Sequence, residues 1–243
     1  MVSALTPLLL GKEMFTNSTI ALSELSNEFG IEVLRDCYFA FVGKVPTRLD
    51  QRLVPASTKQ HIFDAVAASG VAGVVTTAEL AGDVPQSMGV AISQAPLRSA
   101  LAIQEHIAQL PDFQWKSFES RVHPSAVIYE GAYVAPHDVE IGEGTIVFPN
   151  AVILPRTIIG KHCSIGPGTI VGADAFDVDT TQQPNRIIAQ SGGVALADYV
   201  DVQAKCTLVR ATFGGFTRLG EGTKFDCQVH FAHDCTTGRN VRI

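Results

Sequence analysis

Two histidines three residues apart, His230 and His233, lie in the run QVHFAHDC (228–235), and they are the side chains of this chain best suited to moving a proton. An unperturbed imidazole titrates near pH 6.5, at about neutrality, so it takes a proton as a base and returns it as an acid. Asp226 and Asp234 are near enough in sequence to orient or polarise one of the rings. The same residues also read as two surface histidines, because a short His-x-x-His pair is a weak motif alone. A zinc site is the third reading, with His123, His137 or His162 supplying a further ligand. It requires one of them at the same height as His233, and their distance along the chain ranks a metal last. Asp226 equally reads as a corner residue, since aspartate is common in turns.

The element that must position these side chains is a six-residue repeat. An aliphatic residue returns at Val122, Ile128, Val134, Ile141, Val147, Ile153, Ile159, Ile165 and Val171, with one extra residue absorbed near Glu140. Four positions after each stands a small residue (Ala126, Ala132, Thr145, Ala151, Thr157, Cys163, Thr169, Ala175), with Asp138 the exception. That period fits neither a 3.6-residue helix nor a two-residue strand alternation. It describes a short strand plus a sharp corner, and three such units close a triangular coil. The aliphatic residue points into the prism, the small one fills the corner, and Gly142, Gly144, Gly160, Gly166 and Gly168 suit the turns. A nucleotide-binding reading of Gly166, Gly168 and Gly172 lacks the amphipathic helix that should follow.

The rhythm stops after Phe176, where the polar stretch 177–193 intervenes, and such an insertion is expected as a loop on the working face. It resumes at Leu196, Val202 and Leu208, breaks at FGGF (213–216), and returns at Leu219, Phe225 and Phe231. Phe231 takes the interior place, so His230 and His233 face outward. Cys163, Cys206 and Cys235 fall at the small-residue position, and packing explains them better than disulfides or metal.

Residues 1–115 read as a small α/β domain and 116–243 as the coil domain. The spacing predicts a strand over 37–42 and a loop with some extended structure over 44–55. A helix capped at Ser57 or Thr58 follows, with Ile62, Phe63 and Val66 on one face. Next come a strand over 71–75, a short helix opening at Thr77, a strand over 88–93 and a helix over 97–108.

Composition narrows the partners. The chain has 243 residues, 17% of them charged, and a net charge of −6, so neither nucleic acid nor an anionic membrane surface is the expected partner. No segment nears the roughly 18 consecutive apolar residues of a membrane span. The opening MVSALTPLLLGKEMF has no basic residue before its apolar stretch, a poor secretion signal, and the expected location is the cytoplasm.

The α/β domain, the hexapeptide coils, VGADAF (171–176) followed by an insertion, and VHFAHDCTTG (229–238), in that order, resemble the UDP-3-O-acylglucosamine N-acyltransferases of lipid A synthesis. The histidine segment is also similar to the related UDP-N-acetylglucosamine O-acyltransferases, which lack such an N-terminal domain. The resemblance implies an α/β N-terminal domain followed by a left-handed parallel β-helix of hexapeptide repeats, assembled as a homotrimer with active sites between subunits. It implies an acyl group carried as a thioester on the phosphopantetheine of acyl carrier protein, no separate cofactor, and a UDP-linked amino sugar as acceptor. His233 matches the family's general base, His230 a supporting position and Asp226 an acidic residue beside the site. Phe39 matches an aromatic that stacks on uracil. Val42 and Val45 stand where the family has Asn and Tyr, which leaves Tyr38 and Phe41 as the replacement aromatics.

By the family pattern an oxyanion-binding N–H and further coils follow one turn after His233, past Ile243. A chain truncated at the C-terminus, weakly active or inactive, is therefore the expectation. Two other functions stay open: an acetyl-CoA-dependent acyltransferase on another nucleotide amino sugar, and a non-catalytic trimeric binding module.

Overall fold

The computed structural model describes residues 18–26, 28–45 and 49–243; the opening MVSALTPLLLGKEMF and residues 46–48 of the 44–55 stretch lie outside the described residues. One compact unit comprises the described residues up to Trp115 together with Phe176–Ser191, and the other comprises Lys116–Ala175 with Gly192–Ile243.

In the first unit four parallel strands lie side by side in chain order: Phe41–Val42, Arg52–Ala56, Val71–Thr76 and Gly89–Ile92. Glu32–Arg35 joins the last of them antiparallel. The expected strand over 37–42 is split at Ala40: Tyr38–Phe39 pairs back on Ile20–Ala21, while Phe41–Val42 enters the parallel sheet. Helix α1 (Lys59–Ala67) starts where expected, with the Thr58 hydroxyl accepting the His61 N–H. Its buried stripe differs from expectation. Ile62 and Ala65 face the core, while Phe63 and Val66 are exposed, because this nine-residue helix buries a stripe only one i, i+3 pair wide. The helix expected at Thr77 is a hydrogen-bonded turn followed by one 3₁₀ turn, Ala81–Asp83, interrupted by Gly82 and Pro85. Helix α2 (Pro96–Gln109) opens with proline in its first turn, where no N–H is needed, and buries Ala100, Ile103 and Ile107.

The second unit is a left-handed parallel β-helix of hexapeptide repeats whose walls are three five-stranded parallel sheets. The first face stacks Arg121–Val122, Val139–Ile141, Thr157–Ile159, Gly193–Leu196 and Phe216–Leu219. The second stacks Val127–Ile128, Ile146–Val147, Ser164–Ile165, Asp201–Val202 and Lys224–Phe225. The third stacks Tyr133–Val134, Val152–Ile153, Ile170–Ala173, Thr207–Val209 and His230–Phe231. Ile141 lies against Ile159, one regular turn of eighteen residues. The residues predicted to point inward form one continuous apolar core from Ile141 to Phe231, while Val122, at the end of its sheet, stays 40% exposed.

The glycines serve two physical ends rather than one. Gly144 and Gly168 occupy the left-handed turn, a place taken in other coils by Asn150, Arg156, His162, Lys205 and Asp234, all at positive φ. Gly142, Gly160 and Gly166 are not turn residues. A Cβ on any of them would come within 2.6–2.7 Å of the next coil's main chain, so these glycines permit the coils to stack.

Two of the three corners carry a hydrogen-bonded ladder. Thr145 Oγ1 donates to the Gly160 carbonyl (2.8 Å) and accepts the Cys163 N–H (3.1 Å), and Cys163 Sγ donates to the Ala197 carbonyl (3.1 Å). At the next corner Thr169 Oγ1 donates to Gln203 O (2.6 Å) and accepts the Cys206 N–H, and Cys206 Sγ reaches Asp226 O (3.0 Å). Burial pushes the Cys163 thiol up to about 11 and the Cys206 thiol upward, which keeps both protonated as donors.

The corner between the third and first faces departs from this pattern. Thr157 holds the equivalent place, and by the same spacing its hydroxyl would meet the Gly172 carbonyl. Gly172 instead adopts φ +93, the register slips between Val171 and Ala173, and its carbonyl accepts Arg210 Nε at 3.0 Å. Thr157 Oγ1 is left buried with no partner. From here the chain departs after Ala175 and returns at Gly192.

Candidate active site

His233 stands on that same irregular corner. Thr207 and Leu208 pair with His230 and Phe231, and Phe231 is locked inside the prism with its ring edge-on to Phe225 at 5.1 Å. With the register fixed there, the chain turns outward through Ala232 and His233 to Asp234, whose φ of +59 makes the bend. The Asp234 N–H donates to Thr217 Oγ1 (2.9 Å), tying the turn to the first face.

His233 Nδ1 has two oxygen neighbours, Asp234 Oδ2 at 2.8 Å and Thr212 Oγ1 at 3.2 Å. An ionised carboxylate only accepts, so a neutral ring carries its proton on Nδ1 and leaves the Nε2 lone pair free. Such a ring takes a proton at Nε2 while the carboxylate stabilises the resulting imidazolium. The side chain is 35% exposed, and both of its hydrogen-bond neighbours sit at Nδ1.

The structure joins only some of the residues singled out by sequence. Asp234 binds His233, whereas Asp226 lies at the corner before the third face and takes its own neighbour's N–H, Cys227 N, at 2.7 Å. His230 points outward from its strand and is exposed. Tyr38, Phe39 and Phe41 belong to the other unit: Tyr38 is 65% exposed, Phe41 half-buried, and Phe39 wholly buried. Among the described residues no group of three or more His, Cys, Asp and Glu is placed to hold a metal ion.

Thr212 and Thr217 are the polar neighbours that sequence reasoning missed. They flank the FGGF break, and the available signal was the length of that turn. Leu208 lies against Phe231, twenty-three residues on, so the five extra residues bulge out beside the histidine. One coil below, the Arg210 guanidinium binds Asp174 (3.1 Å) and the Gly172 carbonyl. Burial, and then the neighbouring Arg210, hold Arg156 below the ordinary guanidinium range. Asp138, Arg156, Asp174, Arg210 and His233 thus follow one another up this corner, all of them chargeable.

The bacterial transferase hexapeptide family (six repeats) matches residues 138–173. The UDP-3-O-acylglucosamine N-acyltransferase of Anaeromyxobacter dehalogenans is 34% identical over 49% of this chain and 34% of its own length. The enzyme of that name from Rhodopirellula baltica is 44% identical over 30% of this chain and 19% of its own. Among solved structures, UDP-N-acetylglucosamine O-acyltransferase from Moraxella catarrhalis is 22% identical over 49% of this chain and 46% of that one, with a TM-score of 0.25. The chain spans about a third or less of the length of the curated relatives it matches. Residues 138–173 match bacterial transferase hexapeptide repeats, and over the stretches it shares with them the chain resembles the UDP-3-O-acylglucosamine N-acyltransferases.

Proposed function

We propose that this chain belongs to an N-acyltransferase that moves an acyl group from an acyl carrier protein thioester to the amine of a UDP-linked glucosamine derivative, in the cytoplasm and as a homotrimer. The observation that carries the reading is the His233 ring, held through Nδ1 by Asp234 with Nε2 free. An amine attacks a thioester only with its lone pair available. As the C–N bond forms, the nitrogen's proton passes to Nε2. The tetrahedral intermediate then expels the phosphopantetheine thiolate, which takes the proton from the imidazolium. An amide and a free thiol result, with no covalent enzyme intermediate. Base stacking on the nucleotide falls to Tyr38 or Phe41, since Phe39 offers no exposed ring face.

The burial of Phe39, with Val42 and Val45 in place of the polar and aromatic residues of the resembled family, favours as second reading an acetyl-CoA-dependent transfer to another nucleotide amino sugar. Both readings are tested by one experiment. The protein and its His233→Ala variant are incubated with acyl carrier protein thioesters or acetyl-CoA and a panel of amino sugars linked to UDP and to other nucleotides, and amide product is followed by mass spectrometry. Loss of the general base should lower the rate about 10²- to 10⁴-fold. Equal rates in the two proteins would sink the assignment of His233, and the preferred donor separates the two readings.

A further inference from the structure

The two oxygen neighbours of His233 Nδ1 are unequal. Asp234 is a surface carboxylate on the adjacent residue, its side chain 30% exposed. A charge pair so exposed holds its side chains weakly, because solvent screens the attraction and both groups stay free to rotate. Thr212 has no exposed surface, and among the described residues its hydroxyl has no hydrogen-bond partner besides Nδ1. A hydroxyl taken out of water without a partner costs free energy. Turning the ring away would orphan Thr212, so the buried hydroxyl resists that rotation more firmly than the exposed carboxylate does.

The backbone that carries Thr212 is itself fixed. The Arg210 N–H donates to the Ala173 carbonyl (2.9 Å), and Ala211 bonds both glycines of the returning chain, giving its N–H to Gly193 O and accepting the Gly192 N–H, each at 3.1 Å. The Gly193 N–H in turn donates to Gly215 O (2.9 Å), inside the bulge. Phe213 and Phe216 are buried, and Gly214 and Gly215, at φ +119 and +65, make the turn between them. The FGGF bulge is thus anchored at both ends. On its far side Thr217, also without exposure, accepts the Asp234 N–H. The threonines flanking the bulge therefore hold the two halves of the His–Asp pair, one by its ring and the other by its main chain.

We propose that Thr212 is a positioning residue of this site: its hydroxyl, fixed by the bulge, sets the orientation of the His233 ring, while Asp234 sets which ring nitrogen carries the proton. The kinetic consequence rests on the general-base reading above. A base must lie within hydrogen-bond reach of the proton it takes, so a ring free to rotate loses rate at an unchanged substrate affinity. Thr212→Val keeps the shape and removes the hydroxyl, and Thr212→Ser keeps the hydroxyl. In the amide-forming assay Thr212→Val should lower kcat by about tenfold to a hundredfold with KM nearly unchanged, and Thr212→Ser should restore most of it. Thr212→Ala carries the same expectation and cannot crowd the site, so it replaces the valine variant if that one does not fold. Ring-nitrogen NMR of histidine-labelled protein reads the same effect without substrate, the His233 signals being those lost in His233→Ala. The parent and Thr212→Ser should show Nδ1 protonated and Nε2 bare, and Thr212→Val should show nitrogen shifts averaged between the two tautomers as the freed ring leaves Asp234. An unchanged ring signature in the variants without the hydroxyl overturns the proposal. So does a loss of rate that Thr212→Ser shares in full, which marks a packing role. If the parent gives no amide product with any donor, the general-base reading fails, and the ring spectra still decide whether Thr212 orients His233.

Discussion

The corner at Thr145 and Cys163 and the corner at Thr157 and Gly172 have the same repeat and nearly the same residue types, yet they are built for different ends. At the first, each small polar side chain satisfies a carbonyl of the next coil and an N–H of its own stack, and no insertion leaves the coil. At the second, the carbonyl that should complete the ladder is turned toward Arg210, a buried hydroxyl is orphaned, and the 176–191 insertion, the FGGF bulge and His233 all emerge. A solenoid gains stability by repeating a satisfied unit. It gains a site by breaking the unit on one edge only, and here the two regular corners hold the prism in register while the third departs.

The comparison is most sharply tested at the histidine. Asp234→Asn keeps the shape but lets the amide donate to Nδ1, which favours the tautomer with its proton on Nε2; the rate of acyl transfer should fall about 10²-fold with little change in melting temperature. An unchanged rate would mean that the Asp234 contact does not set the tautomer. Next in size is the pair Thr145→Val and Thr157→Val. The first strips a partner from the Gly160 carbonyl and the Cys163 N–H and should cost about 1–3 kcal/mol in urea unfolding. The second removes a hydroxyl that has no partner and should be neutral or slightly stabilising. Equal costs would refute the distinction between the corners.

A smaller effect concerns the thiols of the regular corners. The Cys163 thiol lies at about 11 when folded against 9.0 for the free group, so the folded state holds its proton more tightly. Its contribution to stability is complete below pH 9 and is lost as pH rises through 11, by about 2–3 kcal/mol at most. Cys163→Thr retains a donor that does not titrate, and its unfolding midpoint should fall less between those pH values than that of the parent. Parallel pH profiles would show that this thiol is not what the alkaline limb reports.

Much of this molecule is written in the residue types. A period of six with an aliphatic residue inward and a small one four places later admits no helix and no flat strand, so the prism and its interior, from Ile141 to Phe231, are legible without coordinates. His233 was legible too, because Phe231 claims the interior place and turns its neighbours outward. The sequence could not show that glycines of one repeat divide between turning and stacking, since both roles are filled by the same residue and only the distance to the next coil separates them. Nor could it choose between Asp226 and Asp234 as partner of the ring, or bring in Thr212. Those contacts depend on which residues lie one coil apart, and the five-residue bulge and the 176–191 excursion reset that count. The α/β unit teaches the same lesson: patterns predicted the strands over 71–75 and 88–93 and the helices after Thr58 and over 97–108, but they put the sheet strand Arg52–Ala56 in a loop and gave no sign of Glu32–Arg35. Only the packed sheet decided that Phe39 is core and that Phe63 is surface. Local spacing fixes which face a side chain points to, whereas contacts between distant coils are fixed by closure of the whole solenoid.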